Sequence, residues 1–199
     1  MEHTAFELTS GGIIGRDHRE RCANYQDGAY ITRGPAGTVG IITDGCGSGA
    51  HSEVGAQFGA RLVGEATRRE LERHGLTALD WQRLRHDVLS ELHGRVSAMG
   101  GSFRQTVNDY FLFTVVGVIL AGDLALFFAL GDGVIIVNGE VTALGPWPGN
   151  QPPYLGYGLL GGSVTSLPPD QLEFQVVRSL PLDRLNHFLL GSDGVSDLI

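Results

Sequence analysis

The chain has 199 residues and a mass of 21.3 kDa, the size of one domain with a substantial core. Its 42% hydrophobic and 18% charged residues exclude disorder and low-complexity classes. The 14 cationic side chains, all Arg, stand against 22 acidic ones and leave a net charge of −8, which argues against a nucleic-acid partner.

The start, Met1-Glu2-His3, lacks the basic and apolar segments of a secretory signal, and the apolar run from Tyr110 to Gly122 is too short for a membrane span. A cytoplasmic location is therefore expected. Cys22 and Cys46 cannot make a disulfide scaffold, and no CxxC or HxxxH pairing points to zinc.

In chain order, Leu8 to Ile14, Ala29 to Thr32 and Thr38 to Thr43 read as strands, the last two joined by Gly34, Pro35 and Gly37. An amphipathic helix follows, with Ser52 as its N-cap, Val54, Phe58, Leu62 and Ala66 on its buried stripe, and Gly75 at its end. A second carries Leu84, Val88, Leu92 and Val96 and ends at Gly100. Strand signals return over Phe111 to Leu120, Leu124 to Leu130, Val134 to Val137, Val141 to Leu144, Glu173 to Val177 and His187 to Leu190. The Pro- and Gly-rich stretch from Gly145 to Gly162 reads as a surface loop or flap, whose Trp147, Tyr154 and Tyr157 could line a groove or pin the loop down. The pattern predicts an α+β domain: two antiparallel sheets with a helical pair over one outer face.

The chemistry gathers where acidic residues meet glycines at strand ends. Asp44 closes the run VGIIT and precedes GCGSGAHSE, Asp193 follows the strand HFLLGS, and Asp27 lies in NYQDG just before a strand. Carboxylates without a matching cationic cluster repel one another, and a hard divalent cation such as Mg²⁺ or Mn²⁺ relieves that repulsion. An Asp-Gly pair is also ordinary turn chemistry, so the pairs have to be judged together. A phosphate cradle in DGCGSGAHSE is the other reading, but the loop lacks both the GK[ST] ending and the GxGxxG spacing.

Taken in order, NYQDG, DGCGSGAHSEVGA, Asp109 ahead of Thr114, GDG (Gly131 to Gly133) and SDGVSD resemble the motif series of the metal-dependent protein phosphatases of the PPM or 2C type, bacterial branch. That resemblance implies a central β-sandwich flanked by helices, phosphoserine or phosphothreonine proteins as substrates, and two or three Mg²⁺ or Mn²⁺ ions. It implies that Asp44 bridges two metals, that Asp27 and the Gly45 carbonyl serve one and Asp193 the other, and that Asp109 and Asp197 hold a third. Hydrolysis would be direct, with no phosphoenzyme.

Three departures from the family pattern bear on activity. Gln26 stands where many members have Glu before the first Asp. Cys46 stands where animal members have a His, which leaves water on the metal or His51 to protonate the leaving oxygen. The family pattern continues past Asp197 to one further metal-binding Asp and a closing strand; a fragment of a longer protein is the expectation, with a partner-completed or non-catalytic member as alternatives. Arg16, Arg19 and Arg21 precede Asp27, and Arg16 and Arg21 are the candidates for phosphate capture. The rival function is a phosphatase-like binding or regulatory module without turnover.

Overall fold

In a computed structural model, residues 6–15, 19, 24–161 and 167–198 are described. Five strands form the larger antiparallel sheet in the order β1-β2-β3-β4-β7: β1 (Asp27–Gly34), β2 (Gly37–Gly45), β3 (Phe113–Ala121), β4 (Leu124–Leu130) and β7 (Gln175–Pro181). The smaller sheet has the order β6-β5-β8, from β5 (Gly133–Val137), β6 (Glu140–Leu144) and β8 (Phe188–Gly191). Three helices, α1 (Ser52–His74), α2 (Trp81–Met99) and α3 (Phe103–Tyr110), lie between β2 and β3 in the chain. No helix among the described residues is long and apolar enough to cross a membrane.

The middle strand explains the layering. β3, FTVVGVILA, is apolar at nearly every position and buried along its whole length, as a strand covered on both faces must be. Val116, Val118 and Leu120 pack with Phe127, Ile135 and Val137 between the two sheets. Phe113, Val115 and Ile119 join Leu84, Val88, Leu92 and Val96 of α2 in the core on the helical side. The predicted stripe of α2 is thus the buried one.

α1 buries Leu62 and Ala66 of its predicted stripe and half-buries Phe58 against the core, but Val54 is 50% exposed, and the buried side is widened by Gly55, Ala56, Gly59, Ala60 and Val63. Small residues here let the helix lie against its neighbours: a Cβ on Gly55 would sit 1.6 Å from the Tyr110 carbonyl oxygen, and one on Gly59 would sit 2.3 Å from the Phe113 ring. Hydrophobic spacing alone misses a face defined by what is absent. The N-cap is His51, with no side-chain cap bond, because the Ser52 hydroxyl accepts from Gln26 Nε2 at 2.9 Å.

Three further expectations are corrected. Leu8 to Ile14 is not a strand; residues 6–15 have no regular structure, and Phe6 and Leu8 pack against the inter-sheet core. α3 was not anticipated, although Ser102 caps it by accepting from the Gln105 N–H at 3.4 Å, the first half of a capping box. The segment after β6 is no plain surface loop: Tyr154 and Leu155 are 9% and 1% exposed, and a short 3-10 turn runs from Leu155 to Leu159.

Candidate active site

β1 and β2 run antiparallel in a register that pairs Asp27 with Asp44, and Asp44 in turn pairs with Thr114 of β3. Two carboxylates are thereby placed side by side at one end of the larger sheet. The smaller sheet adds two more at the same end. Asp132 sits in the turn from β4 into β5, and Asp193 lies two residues past the end of β8, where a 3-10 helix begins.

The glycines around Asp132 are forced by this arrangement. Gly131 has φ +106°, and a Cβ there would come 2.6 Å from Thr114 and 2.9 Å from the Pro153 carbonyl oxygen. Close approach of three segments therefore fixes where Asp132 points. Behind Asp27 and Asp44, the Thr43 hydroxyl donates to the Ala56 carbonyl at 2.8 Å and ties the first turn of α1 to the strand pair. The Gly45 N–H donates to the Gln26 carbonyl at 3.1 Å and closes the end of the β1–β2 ladder.

Asp27, Asp44 and Asp193 form a chain of side-chain hydrogen-bonding contacts, from Asp27 to Asp44 and from Asp44 to Asp193. Tyr25 and Ser192 also reach Asp27, and Thr114 reaches Asp132. Burial, and then the charges of Asp27 and Asp193, push Asp44 up to about 9. Asp132 is pushed up to about 6 by burial and by Asp193. Burial likewise raises Asp27 and takes the Tyr25 hydroxyl up to about 12. None of the ion pairs among the described residues involves these four acids.

An all-oxygen, anionic donor set of this kind suits a hard divalent cation and excludes a thiolate or imidazole site. Among the described residues no three acids, His or Cys already stand as a preformed ligand set.

The other candidates fall outside this chain of contacts. Asp109 is in the last turn of α3; its carboxylate accepts from Gln105 Nε2 at 2.8 Å and its carbonyl accepts from the His51 N–H at 2.8 Å, beside the loop after Asp44. His51 is exposed, its ring 4.9 Å from that of Tyr110. Cys46 is 9% exposed, packed in the core, its Sγ 3.1 Å from Ser48 Oγ. Asp197 lies in the final 3-10 helix, its side chain outside the described residues, as are Arg16 and Arg21 altogether; Arg19 is exposed.

Sequence reasoning missed Asp132, Thr114, Tyr25 and Ser192 as parts of the site. Asp132 carried a signal, an Asp between two glycines at a strand end, the same mark that singled out Asp44 and Asp193. The three hydroxyls stand in the motifs quoted above, but their residue type alone did not mark them as partners of the carboxylates.

The sequence matches the family Protein phosphatase 2C over residues 14–199. No curated protein matches it significantly. Among solved structures, the serine/threonine phosphatase Stp1 from Staphylococcus aureus is similar at 14% identity with a TM-score of 0.55, over 100% of this chain and 83% of that one. A bacterial serine phosphatase is similar at 14% identity with a TM-score of 0.52, over 88% and 75%. Both likenesses are of fold: two antiparallel sheets with helices, as found here. Since the family match takes in β1 through β8 and all four converging carboxylates, the chain belongs to the Protein phosphatase 2C family.

Proposed function

We propose that the chain hydrolyses phosphoserine and phosphothreonine in proteins, using Mg²⁺ or Mn²⁺ held by Asp27, Asp44, the Gly45 carbonyl and Asp193, with Asp132 as a further carboxylate at the same place and Asp109 and Asp197 serving a third, weaker site. The observation that carries this reading is the convergence of four carboxylates from both sheets at one end of the sandwich, in no ion pair with a cationic side chain among the described residues. When bound, divalent cations there would screen the phosphoryl oxygens and bring the acidity of water near neutrality.

The chain's own residues hold the geometry. Asp44 stands between Asp27 and Asp193 and feels Asp132, so it is the carboxylate able to serve both halves of the site. Tyr25 and Ser192 orient Asp27, and Thr114 orients Asp132. In the net reaction the oxygen of water bonds to phosphorus, the P–O bond to the seryl or threonyl oxygen breaks, and that oxygen takes up a proton. His51 is the side chain we assign as donor of that proton. Cys46 is not a nucleophile in this scheme, because its thiol is buried and already paired with Ser48.

The test is hydrolysis of p-nitrophenyl phosphate and of a phosphothreonine peptide, with Mn²⁺ and with EDTA. Turnover that needs Mn²⁺ is the expected result. Mn²⁺ binding without turnover would favour the second reading, a phosphatase-like binding module; the observation on its side is Gln26, a neutral amide held by Ser52 where the family pattern has an acid.

A further inference from the structure

The turn between β5 and β6 is made of Asn138 and Gly139, both in the left-handed region at φ +54° and +86°. Two positive φ values are what a tight hairpin needs, and Asn tolerates that region because its short side chain can hydrogen-bond locally. The Asn138 amide reaches further than its own turn. Its Nδ2 donates to the Arg184 carbonyl at 2.7 Å, and its Oδ1 accepts from the Asn186 and His187 N–H groups at 2.8 and 3.3 Å. The Asn138 N–H donates to the His187 carbonyl at 3.0 Å. One exposed residue thus holds the segment Arg184–His187, which feeds β8, a short edge strand that leads into Asp193.

That amide is also a reactive one. Asn138 is the only asparagine in the chain followed by glycine. Gly139 is exposed, and a Cβ there would meet nothing within 4 Å, so its backbone nitrogen is shielded neither by a side chain of its own nor by a neighbour. When that nitrogen attacks Cγ of Asn138, a C–N bond forms, the bond from Cγ to Nδ2 breaks, and the proton of the Gly139 N–H goes to the departing nitrogen, which leaves as ammonia. A cyclic succinimide remains. Water opens it at either carbonyl and gives aspartate or isoaspartate, so the net change is amide plus water to acid plus ammonia.

We propose that Asn138 is a site of spontaneous deamidation which its own latch on Arg184–His187 holds in check, and that conversion releases that latch from the start of β8. To turn Cγ toward the Gly139 nitrogen, the amide has to leave Arg184, Asn186 and His187, and each bond that must open lowers the reactive population by about two- to tenfold. Aspartate has lost the Nδ2 donor and sets a carboxylate oxygen where the Arg184 carbonyl needs a donor. Isoaspartate also routes the main chain through Cβ and Cγ, which lengthens a loop whose fit to its strands depends on its length. The change is one-way, so an opening of the segment that is caught by cyclisation leaves β8 with a weaker start. The proposal stands whether or not the carboxylates hold a metal.

The experiment incubates the full chain in mildly alkaline buffer, folded and in urea, and follows ammonia release and, by peptide mass spectrometry, the conversion of each asparagine. In urea Asn138 should convert before the other asparagines, and folding should slow it by at least about tenfold, because several bonds then have to open first. Asn186→Pro removes one donor to Oδ1; folded, it should convert about two- to tenfold faster than the unaltered chain, and if melting shows it unfolded the comparison in urea decides. Asn138→Asp stands for one product. Its melting temperature should be lower by about 2–8 °C, and the amides of Asn138, Asn186 and His187 should exchange with solvent about two- to tenfold faster while those of β2 and β3 keep their protection. Equal rates folded and in urea, or another asparagine converting first in urea, would overturn the site. An Asn138→Asp chain with unaltered melting and unaltered exchange would overturn the release of β8.

Discussion

The two ends of the sandwich are built from the same vocabulary and do opposite things with it. At one end three hairpins turn over between Gly34 and Gly37, Ala121 and Leu124, and Val137 and Glu140. There Asp123 follows Gly122 in a tight turn, exposed to water, with its carbonyl accepting from the Leu182 N–H at 2.7 Å. At the other end Asp27, Asp44, Asp132 and Asp193 also neighbour glycines, but arrive from four separate places in the chain and crowd together. An Asp-Gly pair therefore says nothing by itself. What separates a turn from a site is whether a second carboxylate is brought within reach by a different strand, and only register and topology decide that.

The sharpest way to break this comparison is to neutralise one acid at each end. Asp44→Asn should lower p-nitrophenyl phosphate hydrolysis by more than the roughly 100-fold that loss of a supporting partner alone can cost, and should abolish Mn²⁺ binding in calorimetry. Asp109→Asn, one helix away, should lose less, and Asp123→Asn should match the unaltered chain. Equal losses at Asp44 and Asp109, or any loss at Asp123, would mean that the charge centre has been misplaced.

Glycine substitution at the crowded end should come next in size. Gly131→Ala forces a Cβ against Thr114 and the Pro153 carbonyl from a backbone at φ +106°, which displaces Asp132 whichever neighbour yields. We expect a melting temperature lower by more than about 4 °C and Mn²⁺ affinity lower by about tenfold. Retained affinity would show that Asp132 is not part of the cation site.

Much of this end was legible in the sequence, and the reasons the rest was not are physical. The Asp27 and Asp44 motifs stand at the ends of strands whose apolar alternation is clear, and the turn between them is short enough to fix their register. Asp193 follows for the same reason. Asp132 was legible only within the GDG motif that links two strands; its place beside Asp44 and Asp193 needs the second sheet to fold over the first. The face of α1 was read from Val54, Phe58, Leu62 and Ala66; the last two are buried as expected, but Gly55 and Gly59, which the spacing passes over, complete the face, since contact with Tyr110 and Phe113 leaves no room for side chains.

The pH dependence of the metal-free protein separates the two ends again. Asp44 titrates near 3.8 when unfolded and near 9 when folded, and Asp132 near 3.8 and near 6. Between those values the folded state holds more protons than the unfolded one, so stability falls as pH rises through that window. In EDTA the melting temperature should therefore drop by more than about 4 °C between pH 5 and pH 9, Mn²⁺ should cancel most of the drop, and Asp44→Asn should flatten it. A curve in EDTA that is already flat would show that the carboxylates do not share a confined space.

The smallest effect belongs to the hairpin end. Gly122 sits at φ +59°, and a Cβ there would meet nothing within 4 Å, so Gly122→Ala carries only the cost of placing an ordinary residue in the left-handed region, about 1 kcal/mol. That corresponds to a melting temperature lower by about 2–4 °C for a chain of this size. Mn²⁺ affinity and kcat should be unchanged, because the hairpins at this end close strands and hold no carboxylate of the site. Equal stability losses with Gly131→Ala hitting activity and Gly122→Ala sparing it would assign the damage at Gly131 to the displaced carboxylate. A fall in kcat with Gly122→Ala would instead mean that strain at one end of β3 and β4 is transmitted along the strands to Thr114 and Asp132, and that the two ends of the sandwich work as one unit.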